Sequence, residues 1–482
     1  MKKFVVFLIV NYSLIVVCLG NNIKVTQSTM TPPDTTKNYR MVSFNLSWDN
    51  SWRNDIEGEG YEEPFNLDAA WIFIKFKKKN QGWFHATLSS NKADHSCPNS
   101  AEILTVNDGK GIFIRRSSNG LGTNNWEDIQ LRWNFAEDEV NNNTEIDGIK
   151  IFAIEMVYVP KGEFYVGDPD GANASLSSNF YKYGAGAYLI ESEAAITVKD
   201  SIGYLWYDND NNSGGDRGGP IPAIFPKGYD AYYCMKYEGT QSLFADFLNC
   251  LSSDAVNWYR GHIYNYDNRG RISISEPQGY YFVANRPDRV MPFMKISGWE
   301  TVNQLQIILN WMGLRPMTEL EYEKACRGAG QQPISMEFAW GNSTYSQATG
   351  LSGSENGTET ATPSGANANL HFSGPGSDNY TRNLGSGDGG NGGLRAGIFA
   401  RNSTTRSQAG ATYYGILDMT GSLLELCVSI GTSQGRAYIP NHGNGSFSVP
   451  EGWPHWSTNG NHYQLRGGAW AYQNNGSGRI AD

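Results

Sequence analysis

The chain is poor in cysteine, lacks a basic patch, and after its first twenty residues has no apolar run long enough to span a membrane. Each absence closes a class of function. Of six cysteines, Cys18 lies in the N-terminal apolar stretch. The remaining Cys97, Cys234, Cys250, Cys326 and Cys427 are odd in number and scattered, so they give no disulfide framework and no Cys-x-x-Cys metal or redox pair. Cys234 and Cys250 are the nearest candidates for a bridge, but buried free thiols fit this usage better. A formal charge of −10 with no Lys/Arg face argues against nucleic acid as a partner.

What is present points to a loop-rich protein with large aromatic anchors. The 482 residues exceed one ordinary domain, and 55 glycines, 14 tryptophans and 27 tyrosines do not suit a helical bundle. Lys2 and Lys3 precede an apolar stretch from Phe4 to Leu19 and small residues near Gly20, the pattern of a secretory signal peptide over residues 1–20. Secretion or display at the cell surface is therefore expected, with lipid anchoring at Cys18 fitting less well. Residues 21–38, with Pro32, Pro33 and several threonines, read as a linker.

From residue 39 to about 153 the pattern is β. Val42, Phe44, Leu46 and Trp48 alternate with polar residues, and four further apolar runs follow at intervals filled by Asn, Gly and Asp. This spacing predicts a β-sandwich. Its Trp48, Trp52, Trp71 and Trp83 suit core filling better than a sugar-stacking face.

The remaining region, 154–482, reads as α+β. Met156 to Asp168 predicts a strand, a Pro-Gly turn and a return strand. Asp208 to Gly214 has alternating oxygen ligands but lacks the glycine and glutamate of a complete calcium loop. Thr240 predicts an N-cap for a helix with Leu243, Phe244, Phe247 and Leu248 inward. Ser297–Glu300 and Thr318–Glu321 are capping-box patterns, with Gly313 and Gly328 as stops. Glu319, Glu321 and Glu323 fan around their helix and read as structural. The polar stretch from Asn342 to Arg395 is expected to be an ordered surface loop. Gly415 and Gly421 bracket an apolar turn continued by Leu423, Leu424 and Leu426, and Arg466 precedes two glycines.

Taken together these blocks resemble the formylglycine-generating enzyme family, also called the sulfatase-modifying factor family. The matching segments are Met156–Gly167, Tyr237–Phe247, Arg315–Arg327, Trp340-Gly341, Gly415–Leu426 and Arg466–Trp470. The resemblance implies a C-type-lectin-like fold for 154–482 and a further strand beyond the C-terminal residue. It also implies a departure. The copper-binding cysteine pair that follows the Arg-Gly-Gly block is missing from Ala471–Ser477, so neither a soft copper site nor a thiol nucleophile is expected. An iron-dependent branch needs a His-x3-His-x-Glu triad, which the seven histidines do not supply. Copper and iron are thus unexpected. Calcium remains compatible at Asn369 and Ser422, although Ser422 stands where the family has asparagine.

The expectation is a secreted or surface binding protein rather than an enzyme. Its ligand, a carbohydrate or a protein, would meet loops carrying His442, Asn444, Trp453, His455, Trp456, Asn459, His462, Tyr472, Asn474 and Asn475. This Asn- and Tyr-rich end also resembles the variable region of receptors diversified by retroelements. Two alternatives stand beside it: a metal-dependent oxidoreductase of the same family, and a structural part of a bacterial envelope motility or secretion assembly.

Overall fold

A computed structural model describes residues 22–55, 63–171, 180–184, 186–207, 216–251, 272–275, 281–284, 286–291, 301–370, 393–455, 462–470 and 478–481. The signal peptide, the Asp208–Gly214 loop and the Ser297–Glu300 cap lie outside these residues. The fold mixes strands with a few helices. No helix among the described residues is long and apolar enough to cross a membrane.

Eight strands open the chain: β1 (Lys24–Met30), β2 (Arg40–Arg53), β3 (Asp68–Lys78), β4 (Trp83–His85), β5 (Ala101–Thr105), β6 (Ile112–Arg116), β7 (Gly120–Trp133) and β8 (Ile146–Val159). Short strands β9 (Phe164–Val166), β10 (Tyr181–Lys182), β11 (Tyr188–Ile190) and β12 (Leu205–Trp206) precede β13 (Tyr232–Met235). One sheet runs β1-β2-β7 and another β13-β8-β3-β6-β5, with β4 on the far end of β3. The two sheets enclose a common core: Val42, Phe44, Leu46 and Trp48 of β2 meet Ala70, Ile72, Ile74 and Phe76 of β3. Trp48 lies edge-on to Trp126 there, centroids 5.1 Å apart.

Three expectations need correction. The stretch read as a linker holds β1, which pairs antiparallel with β2 along Lys24–Met30. The boundary near residue 153 falls inside β8, a single strand of 14 residues. Beyond that point β13 joins the same sheet through Tyr232↔Val159 and Met235↔Met156. The expected return strand after the Pro-Gly turn is β9, but it pairs with β11 instead of folding back on β8.

The reason the sheet extends past the boundary lies in β3. Its even positions face the first core, yet Trp71 and Phe73 are equally buried on the opposite face. A strand apolar on both faces needs cover on both. That cover comes from helices α1 (Gln241–Leu248) and α2 (Thr301–Trp311), whose Phe244, Phe247, Ile308 and Trp311 share a second core with Trp71, Phe73 and Phe152. Phe73 stacks on Phe152 at 4.9 Å and meets Trp311 edge-on at 5.2 Å. Thr240 caps α1 as expected, its hydroxyl accepting from the amide of Leu243.

Helix α3 (Glu319–Arg327) is buried along its whole length, charged residues included. The capping box at Thr318 is formed in both directions, and Gly328 closes the helix at φ 96°. Its acids are all engaged. Arg466, fully buried, donates to Glu319 Oε1 at 2.8 Å and to the carbonyl of Ile480 at 3.0 Å. Arg327 donates to Glu323 at 3.0 Å, to Glu337, and to the carbonyl of Gly167 at 3.1 Å. Glu323 in turn accepts from the amide of Gly167 at 2.7 Å. The structural reading of Glu319, Glu321 and Glu323 agrees with these contacts.

The rest of the chain wraps α3. Strand pairs β14–β15 (Ile272–Ser275, Tyr281–Ala284), β16–β17 (Gly350–Ser352, Thr360–Thr362) and β18–β19 (Glu425–Val428, Tyr463–Arg466) are two-stranded. Two single-turn helices, α4 (Arg406–Ala409) and α5 (Ser433–Arg436), are N-capped by Thr405 and Thr432. The polar stretch expected as a loop carries the β16–β17 hairpin over a small core of Ala348, Ala361, Leu394 and Phe399. Residues 371–392 lie outside the described residues.

Breaking a buried ion pair by removing one partner leaves an uncompensated charge and costs about 3–5 kcal/mol. Arg466→Met is therefore expected to destabilise the protein by that order, read from urea unfolding, and Arg466→Lys by a large part of it, because an ammonium cannot reproduce the guanidinium fork.

Candidate functional site

The expected ligand residues separate when placed in the fold. Trp453 is buried in a third core beside Phe164 and Tyr438, its indole donating to the carbonyl of Asn441 at 3.0 Å. His462 is buried too, Nδ1 lying 3.1 Å from the Thr432 hydroxyl, and burial lowers its pKa. Neither presents a surface. His442, Asn444 and His455 are exposed. Trp456, Asn459, Tyr472, Asn474 and Asn475 lie outside the described residues.

The loop bearing His442 and Asn444 is held firmly. Asn310 of α2, fully buried, accepts from the amide of Asn444 at 2.7 Å and donates to the carbonyl of Ser448 at 2.8 Å and the hydroxyl of Ser446 at 2.9 Å. The Gly443 amide reaches the carbonyl of Leu314 at 2.9 Å. From the other side Lys75 of β3 donates to the carbonyl of Gly445 at 2.7 Å, its ammonium 5.1 Å from the Trp311 ring. Burial drives the Lys75 pKa well below the ordinary lysine value.

Beneath this loop lies a cavity of about 450 Å³, within the range of small-molecule sites. One wall comes from the N-terminal strands, through Trp71 and Phe113, and another from Tyr233 and Met235 of β13. Leu305 and Leu309 of α2 and Leu423, Leu424 and Leu426 complete it, with His442 at its edge. The leucines expected to continue a buried run are half-exposed and line this space.

Four charged side chains, Arg315, Glu321, Glu238 and Glu425, break the apolar lining. Arg315 is satisfied, donating to both oxygens of Glu321 at 2.9 and 2.5 Å. Glu238 and Glu425 are different. Glu238 Oε1 accepts from the amide of Leu423 at 2.8 Å, but its Oε2 and the Oε2 of Glu425 are buried without a hydrogen-bond partner among the described residues. Burial raises both carboxyls well above the ordinary range, and the charge of Asp418 adds to it for each. Asp418 is itself pushed up to about 6 by burial, against the amide of Gly397 that it accepts at 2.6 Å.

A smaller cavity of about 280 Å³ adjoins the first, sharing Met235, Tyr237 and Glu238. Its charged lining is acidic: Glu155, Glu238, Asp246 and Asp288. Glu155 alone of these has a lysine in contact, Lys236 at 2.9 Å.

Asn369 and Ser422, the expected calcium residues, are brought together. The Ser422 amide donates to the Asn369 carbonyl at 3.0 Å, and both are buried. Gly421, at φ 83°, packs its Cα against the Asn369 backbone, a close approach that leaves no room for a Cβ. Asp418 and Ser422 also hold left-handed φ values of 63° and 65°, strain of the kind stored around binding sites. Among the described residues no group of three or more His, Cys, Asp or Glu side chains is arranged to hold a metal ion.

Cys97, Cys234, Cys250, Cys326 and Cys427 are free thiols, so Cys234 and Cys250 do not bridge. Burial raises the thiol of Cys234 to about 12 and that of Cys250 to about 11. Trp48 and Trp71 fill cores as expected, Trp71 also donating to the carbonyl of Met312 at 2.8 Å.

No family model matches the chain, and no curated protein or solved structure matches it.

Sequence reasoning missed Glu238 and Glu425 because each sits among apolar or small neighbours in a motif explained by packing. The available signal was a charge flanked by Leu424 and Leu426 in an otherwise apolar run. Asn310→Ala removes donors from two carbonyls and a hydroxyl, at about 1–3 kcal/mol. Faster amide exchange confined to residues 443–448 is the expected observation.

Proposed function

We propose that the chain is a secreted or cell-surface binding protein without catalytic chemistry. In this reading an N-terminal β-sandwich precedes a sulfatase-modifying-factor-like domain of C-type-lectin-like fold, and the ligand is a carbohydrate or a protein. The observation that carries it is the cavity of about 450 Å³ whose walls come from both parts of the chain, with exposed His442 at its edge. A rigid scaffold presenting a held loop over a preformed apolar space suits recognition. His442, Asn444 and His455 are the loop contacts, and the ligand's apolar portion enters below them. The meeting of Met156–Gly167, Thr318–Arg327 and Arg466–Trp470 at α3 supports the family resemblance.

The test is a thermal-shift panel of glycans and small ligands on the wild type and on Leu424→Trp, which fills the cavity. A ligand present at a hundred times its Kd adds about 2.7 kcal/mol to stability. Such ligands are expected to raise the melting temperature of the wild type and to leave Leu424→Trp unmoved. Ligands that shift both proteins equally overturn the reading.

Calcium belongs to the same proposal, at Asn369 and Ser422, where amide and hydroxyl oxygens offer hard donors. Dialysis against a chelator is expected to release calcium alone and to lower the melting temperature. Stoichiometric copper or iron in elemental analysis would replace this reading with the oxidoreductase alternative.

A further inference from the structure

The two adjoining cavities differ in character and share Met235, Tyr237 and Glu238. The larger is walled by Trp71, Phe113, Tyr233 and leucines. The smaller carries Asp246, Asp288 and Glu155. Glu238 is the charged residue common to both.

Two oxygens of the larger cavity's lining are left over. Glu238 Oε2 and Glu425 Oε2 are buried acceptors with no donor among the described residues. An unsatisfied buried acceptor costs about 1–3 kcal/mol, more when charged. Among the described residues neither carboxyl has a cation to offset it: Arg315 is spent on Glu321 and Lys236 on Glu155 and Asp68. The neighbour that burial and charge leave beside Glu238 and Glu425 is instead a third acid, Asp418.

What is missing is a compact positive group with several N–H donors, attached to an apolar body that fits the larger cavity. A primary ammonium meets the first requirement, with three donors and no acceptor. The terminal torsion of a glutamate is broad, so its carboxyl turns at little cost to bring an oxygen onto a ligand.

We propose that the paired cavities form a binding site for a primary amine with an aryl or alkyl body, its ammonium on Glu238 and Glu425 and its apolar portion against Trp71, Phe113, Tyr233 and Leu424. The site deepens the binding-protein reading and rests on the cavity being a ligand site. It adds the ligand's charge and class.

The experiment uses isothermal titration of the full secreted chain, after chelator dialysis, with 4-phenylbutylamine and with 4-phenylbutanol as the uncharged counterpart. The amine is expected to bind at least tenfold tighter than the alcohol, and Glu238→Gln to remove that difference while leaving alcohol binding in place. Leu424→Trp is expected to abolish both. Equal binding of amine and alcohol, or an amine preference that survives both Glu238→Gln and Glu425→Gln, overturns the charge assignment and leaves the cavity reading standing. Binding of neither compound overturns both. Calcium added at millimolar concentration should not displace the amine; stoichiometric calcium binding that Glu238→Gln abolishes assigns the two oxygens to a metal and overturns the proposal. Should Glu238→Gln fail to fold, Glu425→Gln gives the same comparison.

Discussion

The buried ionic network on α3 is the constraint around which the second half of the chain is arranged. Two guanidiniums and three glutamates sit with almost no water contact, which requires every donor to be aimed. Arg466 reaches Glu319 from β19, Arg327 reaches Glu337, and the Gly167 amide reaches Glu323 from the turn after β9. Segments separated by some 150 to 300 positions in sequence are thereby fixed on one nine-residue helix. An apolar helix would allow its neighbours to slide. Charges this deeply buried do not, so the network sets register as well as position.

A second buried network joins the two halves. Lys236, just after β13, donates to Glu155 of β8 at 2.9 Å and lies 3.6 Å from Asp68 of β3. Burial alone would pull its pKa down, but the charge of Glu155, with Tyr237 and Asp68, holds it above the usual lysine value. Asp68 also accepts from the Trp48 indole at 2.9 Å and the Ser51 hydroxyl at 2.7 Å, so the pair is tied into the opposite sheet. The Leu417 amide donates to the Lys236 carbonyl at 2.9 Å, and Asn66 donates to the carbonyl of Tyr414 at 2.8 Å. The Gly415–Leu426 segment therefore rests on the N-terminal strands. The walls of the larger cavity come from both halves, and this junction is what fixes their separation.

Local chemistry was legible and long-range partnership was not. The caps at Thr240 and Thr318, the stop at Gly328 and the alternation of β2 are properties of a few consecutive residues, and the structure follows them. The misreadings share one cause. Residues 21–38 look polar because β1 is mostly exposed, with only its pairing to β2 making it a strand. The apolar run of β3 fits one buried face or two, and only α1 and α2, far along the chain, decide for two. Trp453 and His462 sit in a polar, glycine-rich stretch, yet they turn inward to Asn441 and Thr432. Composition describes what a loop offers, whereas burial depends on what packs against it.

Glu238 and Glu425 stand against this background of satisfied charge. At Glu319, Glu321, Glu323, Glu155 and Asp68 a cation lies within contact of each buried acid. Glu238, Glu425 and the neighbouring Asp418 form the exception, three buried acids with no ion-pair partner among the described residues. Two acceptors left open in the lining of one apolar space lower stability without a packing return. Departures of this kind concentrate where a protein binds something, because the partner supplies the missing donor. In the proposed reading the cavity is half of an interaction, and a cationic partner would draw Glu238 and Glu425, which burial holds towards their neutral forms, back to carboxylates.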